Sequence, residues 1–215
     1  MNTPQIEFWS GDFGREYTDR NTYSPESWDQ FYLRNYGVTK LQMNADALGD
    51  LPKDARILEV GCNIGLQLLG FQRMGFTNLY GVELQQYAVE KAKSMTSGIQ
   101  IIQGSGFDLP FKDGFFDLVC TNGVLIHIAP DDHAAFMGEI VRCSKRLVMG
   151  YEYHAEELTQ IPYRGHTGFL WKTDFAKRYM SLFPELKTVY ERIYPYIHEQ
   201  ESGNRDAVFV LEKHG

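Results

Sequence analysis

Ile57-Leu58-Glu59-Val60-Gly61-Cys62-Asn63-Ile64-Gly65 is the stretch whose reading settles the architecture. It opens on apolar, partly β-branched residues and ends in two glycines four apart. A helical stripe (Leu66, Leu68, Leu69, Phe71, Met74) begins at once, so the pattern predicts strand, turn and helix. Eighteen residues beyond Gly65 stands Glu83, the acid that closes a second short apolar run in Tyr80-Gly81-Val82-Glu83-Leu84. In an open α/β sheet, the carboxyl ends of neighbouring strands form a crevice suited to a nucleotide-like ligand. Gly61 lets the backbone approach such a ligand without a Cβ, and the helix N-terminus behind it offers free N–H groups to a carboxylate or phosphate. Glu83 is placed to accept from ribose hydroxyls.

The glycine register separates two kinds of ligand. A dinucleotide fingerprint, G-x-G-x-x-G, needs its first glycine where Glu59 stands, and Asn63-Ile64-Gly65 does not restore the spacing. Instead E-x-G-x-x-x-G resembles motif I of the class I S-adenosylmethionine-dependent methyltransferases. Their ligand lacks a pyrophosphate and presents an aminocarboxypropyl tail. The resemblance implies S-adenosyl-L-methionine as cofactor. An ordinary strand-turn-helix with a capping glycine is the plainer reading, and the acid at position 83 argues against it.

Outward from this core the signal alternates strand and helix, as a mostly parallel sheet requires. Strands are expected at Asn78 to Glu83, Ile99 to Gln103, Phe116 to Thr121 and Lys145 to Tyr151, with helices at Gln86 to Met95 and Asp131 to Arg142. Beyond a polar connection, Thr173-Asp174 starts a helix with the stripe Phe175, Tyr179, Leu182, Phe183, stopped by Pro184. Two last strands, Leu186 to Tyr194 and Ala207 to Glu212, flank the turn-like Glu201-Ser202-Gly203-Asn204. The fold class is α/β: a Rossmann-like, seven-stranded, mostly parallel sheet with helices on both faces and an N-terminal helical extension. Residues 1–50 read as that extension or lid, and 51–215 as the cofactor-binding domain of one globular unit. Ser24-Pro25 is a helix start, with Trp28, Phe31, Tyr32 and Leu41 as an apolar face. Phe8 to Asn21 mixes aromatics, glycines and charges without a clean period; it is either a lid over the cofactor or an arm packed on the sheet.

Composition narrows the partners. The chain has 215 residues, 43% hydrophobic and 23% charged, which suits one folded domain. Asp+Glu number 28 against Lys+Arg 21, and a net charge of -7 disfavours nucleic acid. Cys62, Cys120 and Cys143 form no C-x-x-C pair and read as reduced thiols of a cytoplasmic protein. Neither a leader after Met1 nor an eighteen-residue apolar run is found, so no membrane partner is expected. No metal site has convincing ligand spacing; Asp131-Asp132-His133 sits at a helix start, where Asp reads as a cap.

Four segments together resemble the bacterial methylases associated with pseudaminic acid biosynthesis: Phe8 to Asn21, Ile57 to Gly65, Phe116 to His127 (FDLVCTNGVLIH), and Tyr163-Arg164-Gly165-His166 through Asp174-Phe175. The resemblance covers essentially the whole chain. It implies a small-molecule acceptor, a nonulosonic sugar or its nucleotide-linked precursor. It also implies that Glu59, Gly61 and Cys62 line the aminocarboxypropyl end, with Gly65 also binding the cofactor, that Glu83 holds the ribose and that Leu84 packs on adenine. Where many superfamily members read G-D-A-x-x-L-P-F after the third strand, this chain has Gly104-Ser105-Gly106-Phe107-Asp108-Leu109-Pro110-Phe111. Ser105 replaces the adenine-binding acid, leaving its hydroxyl, the backbone of Gly106 and Phe107, or stacking by Phe107 to serve.

Methyl transfer from a sulfonium is an in-line displacement, so alignment and exclusion of water dominate. Any acceptor proton needs a nearby base. Asn122 and His127 follow the fourth strand at the crevice mouth; His127 is the first candidate base and His154, after the fifth strand beside Glu152 and Tyr153, the second. Each histidine has a packing role as its plain alternative. Arg164 and His166 can grip an anionic group of the acceptor, and Tyr17, Arg20 or Asn21 can make polar contacts from the N-terminal segment. The competing functions are methylation of an unrelated metabolite, a nicotinamide-dependent oxidoreductase, and a cofactor-binding partner protein without turnover.

Overall fold

Ile57, Leu58 and Val60 are each at most 1% exposed, so β1 (Arg56–Val60) is apolar on both sides, as a central parallel strand must be. The computed structural model describes residues 3–199 and 203–214. Parallel to β1 lie β2 (Asn78–Glu83) on one side and β4 (Phe116–Asn122) on the other, with β3 (Ile99–Gln103) beyond β2 and β5 (Ser144–Tyr153) beyond β4. A separate two-stranded ribbon pairs β6 (Thr159–Gln160) with β7 (Trp171–Lys172). β8 (Leu186–Pro195) and β9 (Arg205–Lys213) complete the main sheet antiparallel, in the order β3-β2-β1-β4-β5-β9-β8. Strand order reverses between β1 and β4, which opens a crevice at their carboxyl ends. Because β9 is antiparallel, its first residues, Arg205 and Asp206, reach that same edge.

Successive strand residues point to opposite faces. Ile57, Leu118, Cys120 and Met149 meet one core, built with α3 (Pro25–Tyr36), α4 (Lys40–Leu48), α5 (Leu66–Arg73) and α6 (Gln86–Met95). Leu58, Val119 and Val148 meet the other, built with α7 (His133–Cys143) and α8 (Phe175–Leu182). Each large apolar side chain so buried contributes roughly 1.5–3 kcal/mol. The seven-stranded sheet and its helices on both faces match the sequence expectation. Ser24 caps α3 by accepting from Ser27 N with Pro25 in the first turn, and Asp174 caps α8 by accepting from Lys177 N at 2.8 Å.

Other segments differ from their sequence reading. Phe8 to Asn21, which has no clean period, lies in two helices, α1 (Pro4–Ser10) and α2 (Asp12–Arg20), broken at Gly11. Their aromatics pack on one another and on the loop inside the β6–β7 ribbon, so no single-faced stripe forms. α4 escapes a periodicity search because two of its buried positions, Lys40 and Asn44, are polar; Asn44 is satisfied by a paired exchange with Gln67. Of residues 1–50, α3 and α4 share a core with β5 and β9. The polar connection after β5 contains the ribbon. α7 starts at His133 after a 3₁₀ turn, Pro130–Asp132, and Asp132 makes no side-chain cap bond, which corrects the capping role read for these aspartates. Of the turn expected between the last strands, Glu201 and Ser202 lie outside the described residues. Among the described residues no helix is long and apolar enough to cross a membrane.

Candidate active site

The turn after β1 is pinned before any ligand is considered. Gly61 N and Cys62 N both donate to Val82 O, at 2.8 and 3.1 Å. Gly61 has φ +75°, and a Cβ there would stand 2.6 Å from Val124 Cγ2, so neither the backbone nor the space admits a larger residue. Glu83, at the tip of β2, accepts from Asn63 N through Oε2 and from Gln85 N through Oε1, each at 2.8 Å. Burial pushes its carboxyl up, and the backbone donors pull it back.

These groups edge a cavity of about 550 Å³ that runs along the carboxyl ends of β2, β1, β4 and β5 to the start of β9. Glu59, Gly61, Cys62, Glu83, Leu84, Ser105, Gly106, Phe107 and Asn122 all line it, as do Tyr17, Asn21, His127 and Arg164. Gly65, Arg20, His166 and His154 do not. Gly65 sits at φ +80° as the residue before α5, a local turn role. Arg20 is held by Glu16 at 3.2 Å, with its guanidinium over Phe13, and His166 packs its ring against Phe8 and Phe13. His154 is buried with Nδ1 lacking a partner among the described residues, and its Nε2 faces Glu156 at 3.8 Å; it does not line the cavity, which corrects its assignment as a base there.

Ser105 turns its hydroxyl to Phe107 N (3.2 Å), and the Phe107 ring meets Phe136 edge-on at 5.1 Å. Glu59 is 2% exposed and its Oε2 has no partner among the described residues. Burial drives its carboxyl well above the usual range, opposed by Lys40. Lys40 itself, at the start of α4, is 1% exposed; its Nζ donates to Asn122 Oδ1 at 3.1 Å and lies 3.2 Å above the Tyr151 ring. Burial pulls this ammonium down to about 7, against the pull of Asp206 and Glu59.

His127 donates from Nδ1 to Phe169 O at 2.7 Å, because a carbonyl can only accept; Nε2 therefore keeps its lone pair. Its ring lies between Trp9 (4.5 Å between centroids) and Tyr163 (5.1 Å), and burial lowers it to about 4, so it is neutral at pH 7. Glu152 is 1% exposed, lines the cavity and accepts from Val124 N and Ile126 N; burial raises it to about 7. At the far end Asp206 accepts from the hydroxyls of Tyr36 (2.5 Å), Tyr151 (2.8 Å) and Tyr196 (3.3 Å). Lys40 and Asp206 with its tyrosines were missed from sequence, because only the topology brings α3, α4, β5 and β9 together; Glu152 was read at the crevice edge but not singled out.

α1, α2 and the ribbon loop close over the cavity: Phe8 stacks on Phe169 at 4.1 Å, Gln5 Nε2 donates to Gly168 O, and Thr18 donates to Asn63 Oδ1. Asp19, farther along α2, accepts from Tyr87 and Lys91 of α6.

Residues 58–147 match the family model described as a methyltransferase domain. An uncharacterized protein of Haemophilus influenzae is 27% identical over 127 residues, covering 53% of this chain and 51% of its own length. An uncharacterized methyltransferase of Schizosaccharomyces pombe is 33% identical over 105 residues, 43% of this chain and 37% of its length. The chain thus spans about half or less of these curated relatives. Among solved structures, the Burkholderia thailandensis 1,6-didemethyltoxoflavin-N1-methyltransferase with bound 1,6-didemethyltoxoflavin and S-adenosylhomocysteine superposes with a TM-score of 0.74 at 15% identity, covering 100% of this chain and 92% of that one. A SAM-dependent methyltransferase of Methanosarcina mazei gives 0.63 at 18%, covering 77% and 95%. The fold is the Rossmann-like fold of these methyltransferase structures, and residues 58–147 match the methyltransferase-domain model.

Proposed function

We propose that the protein transfers a methyl group from S-adenosyl-L-methionine to a small-molecule acceptor. The observation that carries this reading is the buried, unpartnered Oε2 of Glu59 beside the Gly61 turn, in the same cavity as Glu83. A cationic amine is the partner such an oxygen lacks, and vicinal hydroxyls suit the remaining lone pairs of Glu83. Glu59, Gly61 and Cys62 would hold the aminocarboxypropyl end, Glu83 the ribose, and Leu84, Ser105, Gly106 and Phe107 the adenine, with Asn122 next to the methyl. When bound, the cofactor supplies a methyl on a positively charged sulfur.

The chain's own residues do the rest. The aromatic closure by α1, α2 and the ribbon loop excludes water. Glu152 takes the acceptor's proton, since its acidity near 7 suits a general base. His127, held neutral, walls the cavity between Trp9 and Tyr163 and offers only its weakly basic Nε2. Tyr17, Asn21 and Arg164 contact the acceptor; Arg20 and His166 support the closure around them.

The acceptor is a nonulosonic sugar or its nucleotide-linked precursor. That choice is supported by the family resemblance in Phe8 to Asn21 and Tyr163 to Phe175, and by Arg164 as the basic side chain at the cavity wall. The cytoplasm is its compartment, in keeping with three free, buried cysteines. Incubation with S-adenosylmethionine and a panel of such sugars, read by mass spectrometry, should give a product heavier by one methylene. Cofactor binding without methylation of any acceptor would favour a partner protein lacking turnover. Binding of NADH in its place would overturn the reading.

A further inference from the structure

Asp206 is 1% exposed and lines the cavity, yet its two carboxylate oxygens are treated differently. Oδ2 accepts from three tyrosine hydroxyls, whereas Oδ1 has no partner among the described residues. A buried carboxylate oxygen without a donor is costly, so a site that keeps one is built to receive it from a ligand. Around it stand aromatic rings: Tyr36 and Tyr196 meet at 4.5 Å between centroids, and Tyr153 lies 6.3 Å from Tyr196. The tyrosine hydroxyls are turned to Oδ2, so the donor that Oδ1 lacks has to come from the cavity side.

Charge points the same way. Four carboxyls line the cavity, Glu59, Glu83, Glu152 and Asp206, against one guanidinium, Arg164. Lys40, the buried ammonium nearby, is already held by Asn122 and the Tyr151 ring. Glu59 and Glu83 belong to the donor end, and both oxygens of Glu152 accept from backbone N–H groups, which leaves Asp206 as the acid of the acceptor end with an oxygen lacking a donor among the described residues.

We propose that Asp206 Oδ1, inside its tyrosine enclosure, is a binding site for an amino group of the acceptor, so that the acceptor is an amine-bearing compound such as an amino sugar. This rests on the acceptor reading above and adds its recognition handle. The amine is the handle; the atom that is methylated lies nearer β4 and β5.

Three sugars that differ at a single substituent charge, glucosamine, glucose and glucuronate, test it by calorimetry on protein saturated with S-adenosylhomocysteine and on protein alone. Glucosamine is expected to bind ~10-fold or more tighter than glucose, the scale of a charge-assisted hydrogen bond, and tighter than glucuronate, whose carboxylate has only Arg164 to meet it. Asp206→Asn keeps an oxygen for the tyrosines and should erase the preference while leaving S-adenosylhomocysteine affinity within a few-fold of the original. Equal binding of glucosamine and glucose, preference for glucuronate, no binding of any at high millimolar concentration, or a preference that survives Asp206→Asn each overturns the proposal. If S-adenosylhomocysteine itself fails to bind, the methyl-donor reading falls, and the titration on protein alone still decides this one.

Discussion

At its β1–β2 end the cavity is pinned from one short stretch, Glu59 to Gln85, with Ser105 to Phe107 joining from the loop after β3. At its β5–β9 end Tyr36 and Asp206 bond across 170 positions of sequence. The near end is organised by backbone: Gly61 N and Cys62 N on Val82 O, Asn63 N and Gln85 N on Glu83. The far end is organised by side chains: three phenols on one carboxylate and an ammonium over a ring. Backbone turns of fixed spacing suit a ligand that does not change. A set of side chains from distant elements can be exchanged singly, as recognition of a particular acceptor requires.

Substitutions should separate the two ends, and the largest effect is expected where chemistry meets recognition. Glu152→Gln should lower kcat by ~100-fold or more while S-adenosylhomocysteine binds as before, and the rise of kcat/KM with pH near 7 should vanish. If the rise instead centres near 4, His127 is the proton acceptor. Gly61→Val should do the reverse, forcing φ +75° on a β-branched residue against Val124. The strain, on the order of 1–3 kcal/mol, should appear in urea denaturation together with a ~10- to 100-fold loss of S-adenosylhomocysteine affinity.

A smaller effect tests the wall between the ends. His127 titrates near 4 in the folded chain, below the ordinary 6.5, so folding favours its neutral form. Its contribution is complete above pH 6.5 and is lost as pH falls toward 4, at up to about 1.4 kcal/mol per pH unit. The stability difference between the parent and His127→Gln, followed by denaturation across that window, should therefore shrink as pH falls; a constant difference would show that the ring is not desolvated. Smallest of all is Asp19→Ala, which removes the bonds from Tyr87 and Lys91 that hold α2 on α6. Both groups are largely solvated, so fold stability should hardly move. Cleavage by trypsin at Arg15 or Arg20 should quicken by a few-fold, and unchanged cleavage would mean the aromatic contacts alone keep the closure shut.

What the sequence discloses follows the same division. The β1 turn, Glu83, the seven strands and the caps at Ser24 and Asp174 were legible because each depends on neighbours a few residues away. α4 was not, since its buried Lys40 and Asn44 interrupt the apolar stripe that a helix search seeks. His154 ranked second to His127 as a polar residue after a strand, but it falls one residue past the end of β5 and faces Glu156, whereas Glu152, still within the strand, lines the cavity. The aromatic helices at the N-terminus carry no period because they pack on a loop instead of on the sheet.

The central claim, that Glu83 and the Gly61 turn form the donor end of this cavity, is tested most directly by titrating S-adenosylhomocysteine into the parent protein and Glu83→Ala in the calorimeter. One molecule should bind per chain, with affinity lost by ~10-fold or more in the variant. Equal affinity in the two proteins, or no heat in either, would contradict it.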